Sequence, residues 1–137
     1  MIRIDNLSKN YGSVEAVKSI SFSLGDGEIV GFLGANGAGK STTLKIMTGY
    51  LTPTSGNVYV GDKNIIDDCL EIQRSVGYLP ELNPLYSEMK VHEYLKFHAA
   101  IRGIEGTDFT NALKKVVADC SLQGVVHRTV GNCSKGY

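Results

Sequence analysis

Near its start the chain alternates apolar and polar positions. Ile2 and Ile4 flank Arg3, and serines separate Ile20, Phe22 and Leu24. Such alternation puts one row of side chains against a core and the other in water, so both stretches predict half-buried strands. Gly25-Asp26-Gly27 predicts a tight turn, because glycine accepts positive φ. After Glu28 the pattern changes: Ile29-Val30-Gly31-Phe32-Leu33 is nearly all apolar, which predicts a strand covered on both faces. Residues 40–47 then predict a helix, with Gly49 suited to its C-terminal cap and Pro53 preventing continuation. A short strand over 57–60 ends at Gly61-Asp62, a helix covers 67–74, and a strand over 76–79 stops at Pro80. Two amphipathic helices follow. The first, over 91–102, turns Val91, Tyr94, Leu95 and Ile101 inward; the second, over 108–120, carries Phe109, Leu113, Val116, Val117 and Cys120 as its apolar stripe. Antiparallel strands, then strand–loop–helix, then helices make a mixed α/β chain.

The length of 137 residues suits one modest domain with a core and is too short for two ordinary ones. Lys plus Arg and Asp plus Glu both number 14, so no net field draws the chain to nucleic acid or an acidic membrane, and no nucleic-acid partner is expected. Cys69, Cys120 and Cys133 form an odd set without a Cys-x-x-Cys, which fits reduced thiols better than a disulfide framework. Cys120, His127 and Cys133 match no common zinc spacing. With charges at Arg3 and Asp5, no signal peptide is expected at the amino terminus. The apolar run at 29–33 falls far short of the roughly 20 residues of a membrane span, so a link to a membrane has to go through a partner.

The strongest chemistry lies at Gly34-Ala35-Asn36-Gly37-Ala38-Gly39-Lys40-Ser41, followed by Thr42. Gly34-x-x-x-x-Gly39-Lys40-Ser41 satisfies every fixed position of the phosphate-loop pattern, between an apolar strand pattern and a helix pattern. Glycines allow the backbone to turn its N–H groups inward as an anion nest. The helix that starts near Lys40 adds unsatisfied donors and the positive end of its dipole. Lys40 brings a full charge to the outer phosphates, and Ser41 offers a hydroxyl to Mg2+. An Asn-Lys-x-Asp that would read guanine is absent from the sequence, which points to ATP. Tyr11, followed by Gly12, offers an aromatic face on which adenine could stack.

With that loop placed, residues 2–137 resemble the nucleotide-binding domain of ATP-binding cassette (ABC) transporters. Asn6-Leu7-Ser8-Lys9-Asn10-Tyr11-Gly12 looks like the family's opening, whose aromatic stacks on adenine, a role that passes to Tyr11. Gly34 to Thr42 is similar to the cassette form of the phosphate loop, and Pro53-Thr54-Ser55-Gly56 resembles the stretch after the first helix. Val76-Gly77-Tyr78-Leu79-Pro80-Glu81 looks like the family's Q-loop, with Glu81 where a glutamine usually touches Mg2+ and the attacking water. Cys133-Ser134-Lys135-Gly136-Tyr137 resembles the start of the signature motif in the form used by multidrug and gliding-motility type exporters. The resemblance implies that Ser134 acts in trans, on the γ-phosphate held by a facing second domain.

The resemblance implies the N-terminal portion of one cassette domain, cut within the signature motif, with a phosphate-loop core over about 1–85 and a helical segment over about 87–137. The implied fold is that of a phosphate-loop NTPase, with an antiparallel subdomain and a partial parallel core sheet. The implied function is an ATPase subunit that couples ATP to transport, using ATP and Mg2+. Its implied partners are a second nucleotide-binding domain and a membrane permease that docks around residues 82–86, where Leu85 and Tyr86 are candidate contacts. This places it in the cytoplasm, peripheral on the inner face of the cell membrane. No apolar run followed by Asp-Glu, the family's second acidic motif, occurs in the sequence. The 137-residue chain is therefore expected to bind ATP but hydrolyse it very slowly, and to leave open sheet edges. A non-hydrolytic nucleotide-binding module is the alternative, for which Glu81 leaves room.

Overall fold

A strand of 10 residues, β1 (Ile2–Tyr11), pairs antiparallel with β2 (Val14–Leu24) across a turn at Gly12 and Ser13. Both outrun the alternating stretches of the sequence, because the alternation breaks at bulges and not at strand ends. The register shifts between Ile4 and Leu7 and again between Leu7 and Lys9. Asn6 and Ser19 adopt left-handed φ of 49° and 47°. Side-chain hydroxyls mend the ladder there: the Asn6 N–H donates to Ser21 Oγ (2.8 Å) and the Ser19 N–H to Ser8 Oγ (2.9 Å). The first bulge moves the inward set by one residue, so that Leu7 follows Ile4 into the core.

This computed structural model describes residues 1–81 and 85–134. The chain divides into two compact units, Met1–Leu79 and Pro80–Tyr137. In the first, β3 (Ser55–Val60) pairs with the other side of β1, and β4 (Lys63–Asn64) completes a sheet of 4 strands in the order β2-β1-β3-β4, antiparallel throughout. Gly56 brings β3 close to the β1 bulge; a Cβ there would lie 2.2 Å from the Asn6 carbonyl oxygen. Helices α1 (Lys40–Met47) and α2 (Cys69–Ser75) belong to the same unit. Ile4, Leu7, Val17 and Val58 of the sheet pack with Ile46 of α1, Ile65, and Ile72 of α2. The end of α1 is clasped from α2, where Gln73 Nε2 donates to the Gly49 carbonyl at 2.9 Å. An ion pair joins Lys63 to Glu71; its hydrogen bond and charge hold the exposed Glu71 carboxyl below the usual range and raise Lys63 in return.

The strand expected over 29–33 does not form, and neither does the one over 76–79. Ile29 is fully exposed, and Leu33 and Leu79 are 91% and 81% exposed. A strand covered on both faces needs hydrogen-bonded neighbours, and no described segment pairs with either stretch. The α/β class stands, while the parallel part of the expected sheet has no pair among the described residues. The Phe32 ring lies 5.7 Å from that of Phe22. With Val30, Leu24, Leu44 and Met47 these rings line an open apolar cleft of about 380 Å3.

In the second unit, α3 (Val91–Ile101) and α4 (Gly106–Asp119) lie close to the expected spans. Residues 87–92 are zipped onto 126–131: the Val91 N–H donates to the Arg128 carbonyl (2.9 Å) and the Gly131 N–H to that of Ser87 (2.9 Å). Leu122 and Val125 are buried. Val91, Tyr94, Leu95, Phe109, Leu113 and Val117 are half-buried as the stripes required, whereas Ile101, Val116 and Cys120 are exposed. Ile101, expected inward, is the last residue of α3.

The fold predicts opposite responses to two leucine truncations. Leu7→Ala removes a fully buried side chain and is expected to cost about 2–5 kcal/mol. Leu33→Ala should change stability by less than about 0.5 kcal/mol. Urea unfolding checks both, and comparable losses would place 29–33 in a core.

Candidate functional site

Helix α1 begins at an open amino end. Its N-cap is Gly39, at φ 81°, no side chain caps it, and its first turn holds no acid. The Thr43 N–H donates to the Gly39 carbonyl at 2.8 Å, and the buried Thr43 hydroxyl reaches the same oxygen at 3.0 Å. The N–H groups of Gly39, Lys40, Ser41 and Thr42 precede that first helical bond and have no acceptor within the helix. They share the positive end of the helix dipole, the arrangement that binds phosphates.

Gly39 has no room for a side chain. A Cβ there would sit 2.3 Å from the Ala16 carbonyl oxygen and 3.1 Å from Val17 Cγ2, so the last glycine of the loop rests directly on β2. Upstream, the Ala38 N–H closes a turn onto the Ala35 carbonyl at 3.2 Å, and Gly37 takes φ 81°. The Lys40 side chain folds back over this loop, its ammonium donating to the carbonyls of Gly34 (2.6 Å) and Ala35 (2.8 Å). An ammonium has three donors, so one remains for an anion.

The hairpin also carries Tyr11 to this end of the sheet. Val17, against which Gly39 rests, pairs with Lys9; Tyr11 is the last residue of β1 and pairs with Val14. Its ring is half exposed, and the Lys9 ammonium lies 5.5 Å from the ring centroid.

Residues 34–42 are thus gathered on one loop and helix end, with Asn36 and Ser41 exposed and Thr42 half-buried. Glu81 and Ser134 are exposed residues of the second unit. Leu85 and Tyr86 are exposed as well. Leu82, Asn83 and Pro84, and the signature-motif residues Lys135, Gly136 and Tyr137, lie outside the described residues. The sequence reading missed Ala16 and Val17, which act through a backbone oxygen and a methyl. The one signal for them was a glycine required at 39, where close approach of another backbone is a standing reason for glycine.

Residues 17–137 match the family described as "ABC transporter". The chain belongs to that family. It is 35% identical over 136 residues to the bacitracin transport ATP-binding protein BcrA of Bacillus licheniformis, a match that covers 99% of this chain and 44% of BcrA. Among solved structures, an ATP-binding subunit of an ABC transporter matches with a TM-score of 0.82 and 27% identity, over 98% of this chain and 56% of that one. The fold is also shared, with a TM-score of 0.80 and 21% identity, by the ATP-binding cassette MJ0796, solved as a dimer with ADP and Pi; 98% of this chain and 63% of that one are covered. The chain thus spans under half the length of BcrA. No helix among the described residues is long and apolar enough to cross a membrane.

Two glycine replacements test the seat of the loop. Gly39→Ala forces a methyl onto the Ala16 carbonyl and should cost upwards of about 3 kcal/mol. Gly37→Ala meets no atom within 4 Å and should cost only the left-handed strain of about 1–2 kcal/mol. Equal midpoints in thermal unfolding would contradict the contact with β2.

Proposed function

We propose that this chain is the nucleotide-binding part of an ATP-binding subunit that couples ATP binding and hydrolysis to transport across a membrane. One observation carries the reading: in a member of the ABC transporter family, the uncapped amino end of α1 carries Lys40 folded over the loop that begins at Gly34. In this reading the N–H groups of Gly37 and of Gly39 to Thr42 hold phosphate oxygens, with Gly34, Ala35, Asn36 and Ala38 shaping the loop. Lys40 meets the outer phosphates. Tyr11 stacks on the adenine. The Ser41 hydroxyl fits a Mg2+ site, since that ion keeps several waters and needs few protein ligands beside phosphate. Bound there, Mg2+ would offset charge on the phosphate oxygens.

Glu81 would approach the same metal from the Q-loop position, and Ser134 would serve the γ-phosphate of a second cassette. The division into a phosphate-loop core over about 1–85 and a helical segment over about 87–137 belongs to this reading. So do a permease that docks around 82–86 and a place on the inner face of the cell membrane. The sequence holds no apolar run followed by Asp-Glu to orient a water, and phosphoryl transfer depends on such positioning. The chain by itself is therefore a binder with very slow turnover.

Calorimetry of the chain with Mg-ATP, Mg-GTP and the Lys40→Ala variant tests the proposal. Saturable binding that prefers ATP and falls about 10- to 100-fold in Lys40→Ala is expected, as for loss of a charged hydrogen bond. Absence of Mg-ATP binding, or equal binding by Lys40→Ala, would overturn it. Phosphate release should stay near background; rapid release abolished by Lys40→Ala would contradict the slow-turnover claim.

A further inference from the structure

We propose that Lys9 is a positioning residue that holds the Tyr11 ring ready for a purine base. The proposal rests on the reading of Tyr11 as the stacking residue. Lys9 and Tyr11 stand two apart on β1, and the Lys9 ammonium lies over the Tyr11 ring at 5.5 Å from its centroid, within cation–π range. The same ammonium donates to the Thr52 carbonyl at 2.8 Å. That carbonyl is a firm anchor, because its neighbour Thr54 is tied twice to β1. The Thr54 N–H donates to the Ser8 carbonyl at 2.9 Å, and the Asn10 N–H to Thr54 Oγ1 at 3.0 Å.

Lys9 is therefore a cation held at a set point over one face of a half-exposed ring. A solvent-facing tyrosine at a strand end would otherwise sample several rotamers, and ordering it would weaken binding of the base. With the ammonium on one face, the ring is ordered before the base arrives and the other face is left to stack. Thr52 follows the end of α1, so the anchor also links the base-binding ring to the segment beyond the phosphate-loop helix.

A purely structural clasp between β1 and Thr52 would give the same hydrogen bond, and the test separates the two. Mg-ATP and Mg-tripolyphosphate, which lacks a base, are titrated into the full chain and into Lys9→Met, Lys9→Arg and Tyr11→Ala. Lys9→Met is expected to weaken Mg-ATP about 3- to 10-fold, with tripolyphosphate within about twofold, and Lys9→Arg to retain ATP affinity. Added to Tyr11→Ala, Lys9→Met should have no further effect. Equal weakening of both ligands in Lys9→Met would overturn the proposal in favour of a clasp. Unchanged ATP binding in Lys9→Met, where Tyr11→Ala does weaken it, would overturn the proposal while sparing the stacking role. Unchanged ATP binding in Tyr11→Ala would remove the stacking role and the proposal together, and would leave Lys40 and the loop untouched.

Discussion

The seat of Gly39 on the Ala16 carbonyl is the contact on which the rest of the site depends. Helix α1 starts at that glycine, so the position of its four open N–H donors is set by β2 and not by the loop alone. The hairpin in turn fixes where Tyr11 stands, because β1 and β2 pair at Lys9–Val17, Asn10–Glu15 and Tyr11–Val14, with Ala16 at the register shift between the first two pairs. A glycine with no Cβ thereby couples the proposed phosphate nest to an aromatic ring through a short, bulged stretch of antiparallel ladder. Any side chain at 39 would separate them.

The other end of α1 is held independently. Ile46 is fully buried among Ile4, Leu7 and Val58, and Gln73 donates to the Gly49 carbonyl just past the helix. A helix of 8 residues has little stability of its own. Fixing it at both ends keeps its donors aimed without a side-chain cap, which would compete with a phosphate for the same N–H groups. In the proposed function the missing cap leaves these N–H groups open to phosphate.

The parts legible in the sequence were those where chemistry restricts residue identity. The loop from Gly34 to Ser41 could be read because nest, charge and hydroxyl each demand a residue type at a set spacing. Helices α3 and α4 could be read from their stripes. The reach of β1 could not, since its bulge at Asn6 shifts the apolar set from Ile4 to Leu7 and disguises one strand as a strand and a loop. The stretch from Ile29 to Leu33 misled for a different reason. Its apolar run describes what a strand needs on both sides, and whether neighbours are present is a non-local fact that its own residues do not encode. The Lys9–Tyr11 pairing was equally hidden, because the anchor at Thr52 comes from 43 residues away.

The hairpin is proposed to present a ready-made phosphate nest at the start of α1. Amide chemical shifts of the 15N-labelled chain, followed during titration with Mg-ATP, test it most directly. Saturable shifts concentrated at Gly37 to Thr42, with Ala16 and Val17 moving on the same binding curve, are the predicted result. Shifts elsewhere that leave those amides unmoved, or no saturation at millimolar nucleotide, would contradict the account.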